Sequence, residues 1–133
     1  MQFTVLGMPA PKGSTRAVHD RRGRVRVFGD NPRTIQWQRA VAWAARQAGA
    51  AVLDGPVRVT VVFQMPRGTT TRTQAKKPVG APCVDTPDLD KLLRAVLDGL
   101  SGHCFVDDRQ VAELHGCKVY GAAPGATITV TAQ

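Results

Sequence analysis

Val57-Arg58-Val59-Thr60-Val61-Val62-Phe63-Gln64-Met65 carries the clearest pattern in the chain and decides how the rest is read. Val57, Val59, Val61, Phe63 and Met65 alternate with Arg58, Thr60 and Gln64, so a pleated backbone places the five apolar side chains on one face. Nine residues of such alternation predict a central strand with one buried face.

Working towards the N-terminus, Asn31 is placed to cap, and Pro32 to open, a helix running to about Gly49. Its apolar positions include Ile35, Val41, Ala44, Ala45 and Ala48, with Arg33, Arg39 and Arg46 distributed around it. Before it, Arg24-Val25-Arg26-Val27 follows the turn residues Asp20 to Gly23 and predicts a hairpin with Arg24 and Arg26 on one face. A short first strand containing Phe3, Val5 and Leu6 ends at the breaker-rich run Gly7 to Gly13.

Working towards the C-terminus, residues 66–86 show no hydrophobic period but contain Gly68, Pro78, Gly80, Pro82, Arg67, Arg72, Lys76 and Lys77. A loop of that length inside a compact domain marks function or disorder. Leu89, Leu92, Leu93, Val96, Leu97 and Leu100 then follow helical spacing, closed by Ser101-Gly102. Strands over 111–120 and 127–131 finish the chain. The order βββ-α-β-α-ββ predicts one α+β domain over 1–133, a mostly antiparallel mixed sheet packed against two main helices.

The 133 residues include 18 Lys plus Arg against 10 Asp plus Glu, a formal charge of +8. Residues 1–84 carry +11, whereas residues 85–133 carry −3. A basic half of this strength favours a polyanion such as nucleic acid. The candidate phosphate contacts are Lys12, Arg16, Arg21, Arg22, Arg24, Arg26, Arg67, Arg72, Lys76 and Lys77. The first residues have no cationic lead, and no stretch has the ~18 uninterrupted apolar residues of a membrane span. The expectation is a cytoplasmic protein without a membrane partner. Three cysteines, Cys83, Cys104 and Cys117, argue for reduced thiols rather than a disulfide scaffold.

Seven of the ten acidic residues lie between Asp85 and Glu113. Carboxylates massed beside a phosphate-binding surface would repel the ligand, and a divalent cation removes that conflict, since hard oxygen ligands hold Mg²⁺. Asp88 and Asp90 converge on one ion if Asp88 is the still-extended N-cap and Asp90 lies in the first helical turn. A third ligand comes from Asp107 or Asp108, only one of which lines the site if the backbone there is extended. From Asp90 to Leu100 the helix advances ~15 Å, and the eight residues 101–108 span up to ~26 Å, so a return to the helix start is within reach.

The run Pro87-Asp88-Leu89-Asp90-Lys91-Leu92-Leu93-Arg94-Ala95-Val96-Leu97-Asp98-Gly99-Leu100, followed by Phe105-Val106-Asp107-Asp108-Arg109-Gln110-Val111, resembles the core of the RusA-type Holliday-junction resolvases. The Pro-rich end of the first strand, the Arg-Gly-Arg hairpin and a helix containing an aromatic agree with it. That resemblance implies a small homodimeric endonuclease that uses Mg²⁺, with Mn²⁺ as a substitute, to make paired nicks in branched DNA at a four-way junction. It places the metal-binding carboxylates on Asp88, Asp90 and Asp108. Where family members often have asparagine this chain has Lys91, and where they often have a catalytic lysine it has Arg94. Arginine keeps the charge and clamps phosphate but does not readily lose a proton, so an electrostatic role for Arg94 and Lys91 survives and proton transfer does not.

Plainer readings stand beside these. Asp88 and Asp90 also suit helix capping, and a basic nucleic-acid-binding protein without catalysis, or a nuclease acting on other branched nucleic acids, would share the charge pattern. Asp85 and Asp98 read as solvated positions, Trp37 and Trp43 as core or dimer packing. His103, Cys104, His115 and Cys117 match no zinc spacing and read as buried thiols and ordinary histidines.

Overall fold

The alternating segment forms β4 (Val57–Met65), whose odd-numbered side chains are almost fully buried. The computed structural model describes residues 1–13, 16–19, 21–28 and 31–133, with 16–19 and 25–28 described for their backbone. Around β4 the elements follow in the order β1 (Gln2–Leu6), β2 (Arg16–His19), β3 (Val25–Phe28), α1 (Pro32–Gln47), β4, α2 (Thr71–Ala75), α3 (Leu89–Leu100), β5 (Val111–Tyr120) and β6 (Gly125–Ala132). The main sheet has the order β1-β6-β4-β5. β6 is antiparallel to both β1 and β4, and β5 runs parallel to β4. The fold is therefore α+β with a mixed sheet, β4 is an interior strand, and β2 and β3 form a separate antiparallel ribbon. Asp20, in the expected hairpin turn, lies outside the described residues.

Both main helices cover the face formed by Val57, Val59, Val61, Phe63 and Met65. On α1, Asn31 caps by accepting from the Thr34 amide at 3.1 Å, and Pro32 occupies the first turn where its missing N–H is not needed. The fully buried Thr34 hydroxyl donates to the Pro11 carbonyl at 2.6 Å, which fixes the proline-rich connector against the helix. α1 ends at Gln47, two residues before the glycine that sequence spacing took as its limit. On α3, Leu92, Ala95, Val96, Gly99 and Leu100 are buried. Trp37 is in the core as expected, but Trp43 is 61% exposed. Of the three thiols Cys83 and Cys104 are buried, while Cys117 is exposed.

Two glycines let elements approach closely. Gly116 of β5 lies under the Leu93 side chain, and Gly125 of β6 lies against the backbone carbonyl of Val5 in β1. A Cβ at Gly125 would stand against main-chain atoms that cannot rotate aside, whereas Leu93 has other rotamers. Gly125→Ala is therefore expected to cost about 2–3 kcal/mol in urea unfolding, and Gly116→Ala clearly less. Equal costs would show that the close approach of β1 to β6 is not the limiting contact.

Candidate active site

The parallel pair β4–β5 is joined through α3, so α3 runs back along the strands and its start lies near the ends of β4 and β5. Side-chain contacts follow from this. Leu93 sits over Gly116, and Lys118, near the end of β5, reaches the carbonyl of Pro87 just before α3. The start of β5 pairs with the start of β4, Val111 opposite Val57. Asp108, three residues earlier, accordingly lies toward the last turn of α3; a hydrogen bond with Asp107 first, then burial and the charges of Asp107 and Asp98, push its carboxyl above the usual range.

Asp88 is the N-cap of α3, with extended backbone at φ −65° and ψ 141°, and its side chain makes no capping hydrogen bond. Its carboxylate is 64% exposed, and among the described residues the Lys91 ammonium is the one ion-pair partner near it, at 3.9 Å. Asp90 follows in the first turn and is exposed. The two carboxylates thus stand at the positive end of α3 without being consumed by its backbone. The capping alternative accounts for the position of Asp88 and not for its unused oxygens.

Asp107 does cap. Its carboxylate accepts from the Arg109 amide at 2.9 Å and starts a single 3-10 turn over 108–110. The Gln110 side chain accepts from the Val106 and Asp107 amides and donates to the carbonyls of Leu53 and Gly55. That backbone bond holds the Asp107 carboxyl below the usual range, while a hydrogen bond with Asp107 raises its neighbour Asp108. Asp108 remains exposed, in a cluster of like charge that a cation would relieve.

The sequence-level route by which the chain returns to the start of α3 is not the one taken. Residues 101–108 turn back near the last turn of the helix instead, through a bridge between Ser101 and Phe105. Among the described residues no three His, Cys, Asp or Glu side chains lie close enough to share a metal ion. Asp88 and Asp90 stand at the start of α3, and Asp108, just before β5, does not join them in a cluster of three carboxylates. Arg94 is exposed on α3 midway between Asp90 and Asp98, and Lys91 is exposed one turn before it.

The loop 66–86 is built, not structureless. Thr70 caps α2, and the Arg67 guanidinium donates to the carbonyls of Lys77 and Gln74 at 2.7 and 3.1 Å. The loop then pairs with the end of β5: Gly80 and Cys83 donate to Tyr120 and Lys118, and the Tyr120 amide donates to Ala81. Asp85, expected to be a solvated position, receives the Lys77 ammonium at 2.7 Å and the Tyr120 hydroxyl at 3.0 Å. Those partners hold its carboxyl below the usual range. Lys118 donates to the carbonyls of Asp85 and Pro87 at 2.6 and 2.8 Å. It therefore grips the chain on both sides of Thr86 and fixes the approach to Asp88. Sequence reasoning missed Lys118 and Tyr120, whose partner Asp85 lies more than thirty residues earlier in the chain.

Of the ten basic candidates, Arg67 and Lys77 are spent on this loop, and Lys12 pairs with Asp98 at 2.7 Å while its amide donates to the Lys91 carbonyl. Arg21, Arg22, Arg24, Arg72 and Lys76 are exposed. The side chains of Arg16 and Arg26 lie outside the described residues.

Replacing Lys118 by Met should raise the metal concentration needed for half-maximal DNA cleavage roughly tenfold, the size expected when support beneath a ligand is lost. Lys118→Arg should recover part of it, and DNA binding in EDTA should stay unchanged. An unchanged metal requirement would separate Lys118 from the site. Asp85→Asn should destabilise most above about pH 4, where the carboxylate is ionised in folded and unfolded chains alike. The difference from wild type should shrink as pH falls through the lowered folded value.

Comparison with known proteins bears on this arrangement. The family model described as endodeoxyribonuclease RusA matches residues 7–131. The uncharacterized protein YqaN of Bacillus subtilis (strain 168) is 28% identical over 137 residues, spanning 98% of this chain and 94% of that protein. A match across both main helices, the Asp88–Asp90 cap and the Asp107–Asp108 turn decides against a binding-only protein: the chain belongs to the RusA endodeoxyribonuclease family, enzymes of the Holliday-junction resolvase type that act on branched DNA.

Proposed function

We propose that this endonuclease resolves four-way junctions as a homodimer, by paired nicks that depend on Mg²⁺, with Mn²⁺ able to substitute. The observation that carries the reading is the uncapped carboxylate of Asp88 beside Asp90, at the opposite end of α3 from Asp108. Oxygen-only donors of this kind suit a hard divalent ion, and two carboxylates from one segment leave room for water and phosphate. A two-fold axis near Arg94 would lay α3 of two copies side by side and antiparallel. Asp88 and Asp90 of each would then meet Asp108 of the other. In that arrangement neither copy has a complete ligand set alone, and the dimer has two. The symmetry of two sites matches the approximate two-fold symmetry of a four-way junction.

Bound there, Mg²⁺ supplies polarisation of the scissile phosphate and a more acidic water. The protein's own groups do the rest. Arg94 and Lys91, exposed between the carboxylates, hold the phosphate and offset charge that develops on it. Arg94 stays protonated throughout, so its contribution is electrostatic. Asp107 fixes the turn that presents Asp108. The ribbon residues Arg16, Arg21, Arg22, Arg24 and Arg26, with Arg72 and Lys76 of the loop, contact the DNA backbone, making affinity steeply salt-dependent. No helix among the described residues is long and apolar enough to cross a membrane. We place the enzyme in the cytoplasm, where its three thiols stay reduced.

Asp88→Asn, Asp90→Asn and Asp108→Asn each keep side-chain size and remove a charge needed to hold the ion. Each should lower cleavage of a synthetic four-way junction at least 100-fold, while binding in EDTA stays unchanged or tightens slightly because an anion facing DNA is gone. Asp107→Asn should cost less. Intact cleavage by Asp88→Asn would remove the metal site at α3.

A further inference from the structure

We infer that the outer face of α1 is a second DNA-contact surface, against which the sugar–phosphate edge of a junction arm lies, with Trp43 stacked on it and Arg39 and Arg46 on phosphates. The inference rests on the DNA-directed activity of the family and adds a surface that the loop, the ribbon and the metal site do not include.

Buried positions of α1 are Thr34, Trp37, Val41 and Ala45. At 100° per residue, Ile35, Arg39, Trp43 and Arg46 fall within one arc of ~80° on the opposite side. Ile35 is 40% and Trp43 61% exposed, and both arginines are exposed. A tryptophan left this open, when Trp37 of the same helix is 2% exposed, is not serving the core. The stripe is also wholly cationic. α1 contains Arg33, Arg39 and Arg46 and no acidic residue, and no ion pair among the described residues engages any of the three.

Charge selects the occupant. A second copy seated on this stripe by two-fold symmetry would bring Arg39 and Arg46 against arginines, with no carboxylate on the helix to answer them. A nucleic-acid backbone supplies the missing anions. Arg39 and Arg46 are ~10 Å apart along the helix axis, about three base-pair steps of a duplex strand. The ring between them offers an apolar surface to deoxyribose, or to a base unstacked at the branch point. Side chains this exposed can be changed without opening the core.

The test uses the full chain and a synthetic four-way junction in EDTA. Saturating junction should quench or shift tryptophan emission, and Trp43→Phe, which leaves only the buried Trp37, should abolish that response. Arg39→Ala combined with Arg46→Ala should weaken binding about tenfold and reduce the slope of log affinity against log salt by about two. Unaltered Trp43 emission at saturation, with cleavage intact, would overturn the surface and leave the endonuclease reading in place. Emission that shifts with protein concentration before DNA is added would overturn it in favour of self-association. Failure to bind or cut any branched DNA would overturn the endonuclease reading and this surface together.

Discussion

A helix that connects two parallel strands must travel back along them, and most of the functional geometry follows from that requirement. α3 leaves the loop near the ends of β4 and β5 and delivers the chain to the start of β5. Its 12 residues set Asp88 and Asp90 at one end and bring Asp108 toward the other, ~18 Å of helix in all. Packing makes this separation rigid. Leu93 is seated over Gly116, and Gly99 allows α3 to approach the Gln38 carbonyl and Val41 of α1. A single chain therefore holds Asp88 and Asp90 apart from Asp108, the two parts of the proposed carboxylate site. A two-fold partner is the simplest way to unite them, which gives the proposed dimer a chemical reason as well as a symmetry reason.

The same spacer explains how the basic surplus is divided. Some cations serve the fold: Lys118 and Lys77 hold the loop that leads into Asp88, Arg67 closes that loop on itself, Lys12 ties the proline-rich connector to Asp98, and Arg58 pairs with Glu113 across β4 and β5. Such pairs are partly solvated and individually weak. Their value lies in fixing the loop that leads into Asp88 and the connector that packs on α3. Arg72 and Lys76 of the loop and the arginines on the outer face of α1 make no such bond among the described residues, and phosphate is their proposed partner.

Much of the fold was legible because it rests on period and punctuation. The alternation in β4, the spacing of leucines in α3, and Asn31-Pro32 at the start of α1 each encode local structure directly. Burial was less legible. Trp43 is indistinguishable from Trp37 by composition, and only the angle between them on α1 separates core from surface. Asp85 carries local sign of Lys77 alone among its partners, since Tyr120 and Lys118 reach it from more than thirty residues away. The places of Asp88 as N-cap and Asp90 in the first turn were readable from the helix start, but the position of Asp108 depended on whether residues 101–108 return along α3. Chain length permitted either end of the helix, and the bridge between Ser101 and Phe105 takes the nearer one.

Subunit mixing tests the shared site most directly. One copy carries Asp88→Asn with Asp90→Asn, the other carries Asp108→Asn, and distinguishable tags report the formation of mixed dimers. Each variant alone should be inert on a four-way junction. In a mixed dimer one site collects all three lesions, while the other receives Asp88 and Asp90 from one copy and Asp108 from its partner. Mixing should restore nicking of a single strand without restoring paired cleavage. Mixed dimers that form, bind the junction and remain inert would contradict it, because each site would then be built from one chain.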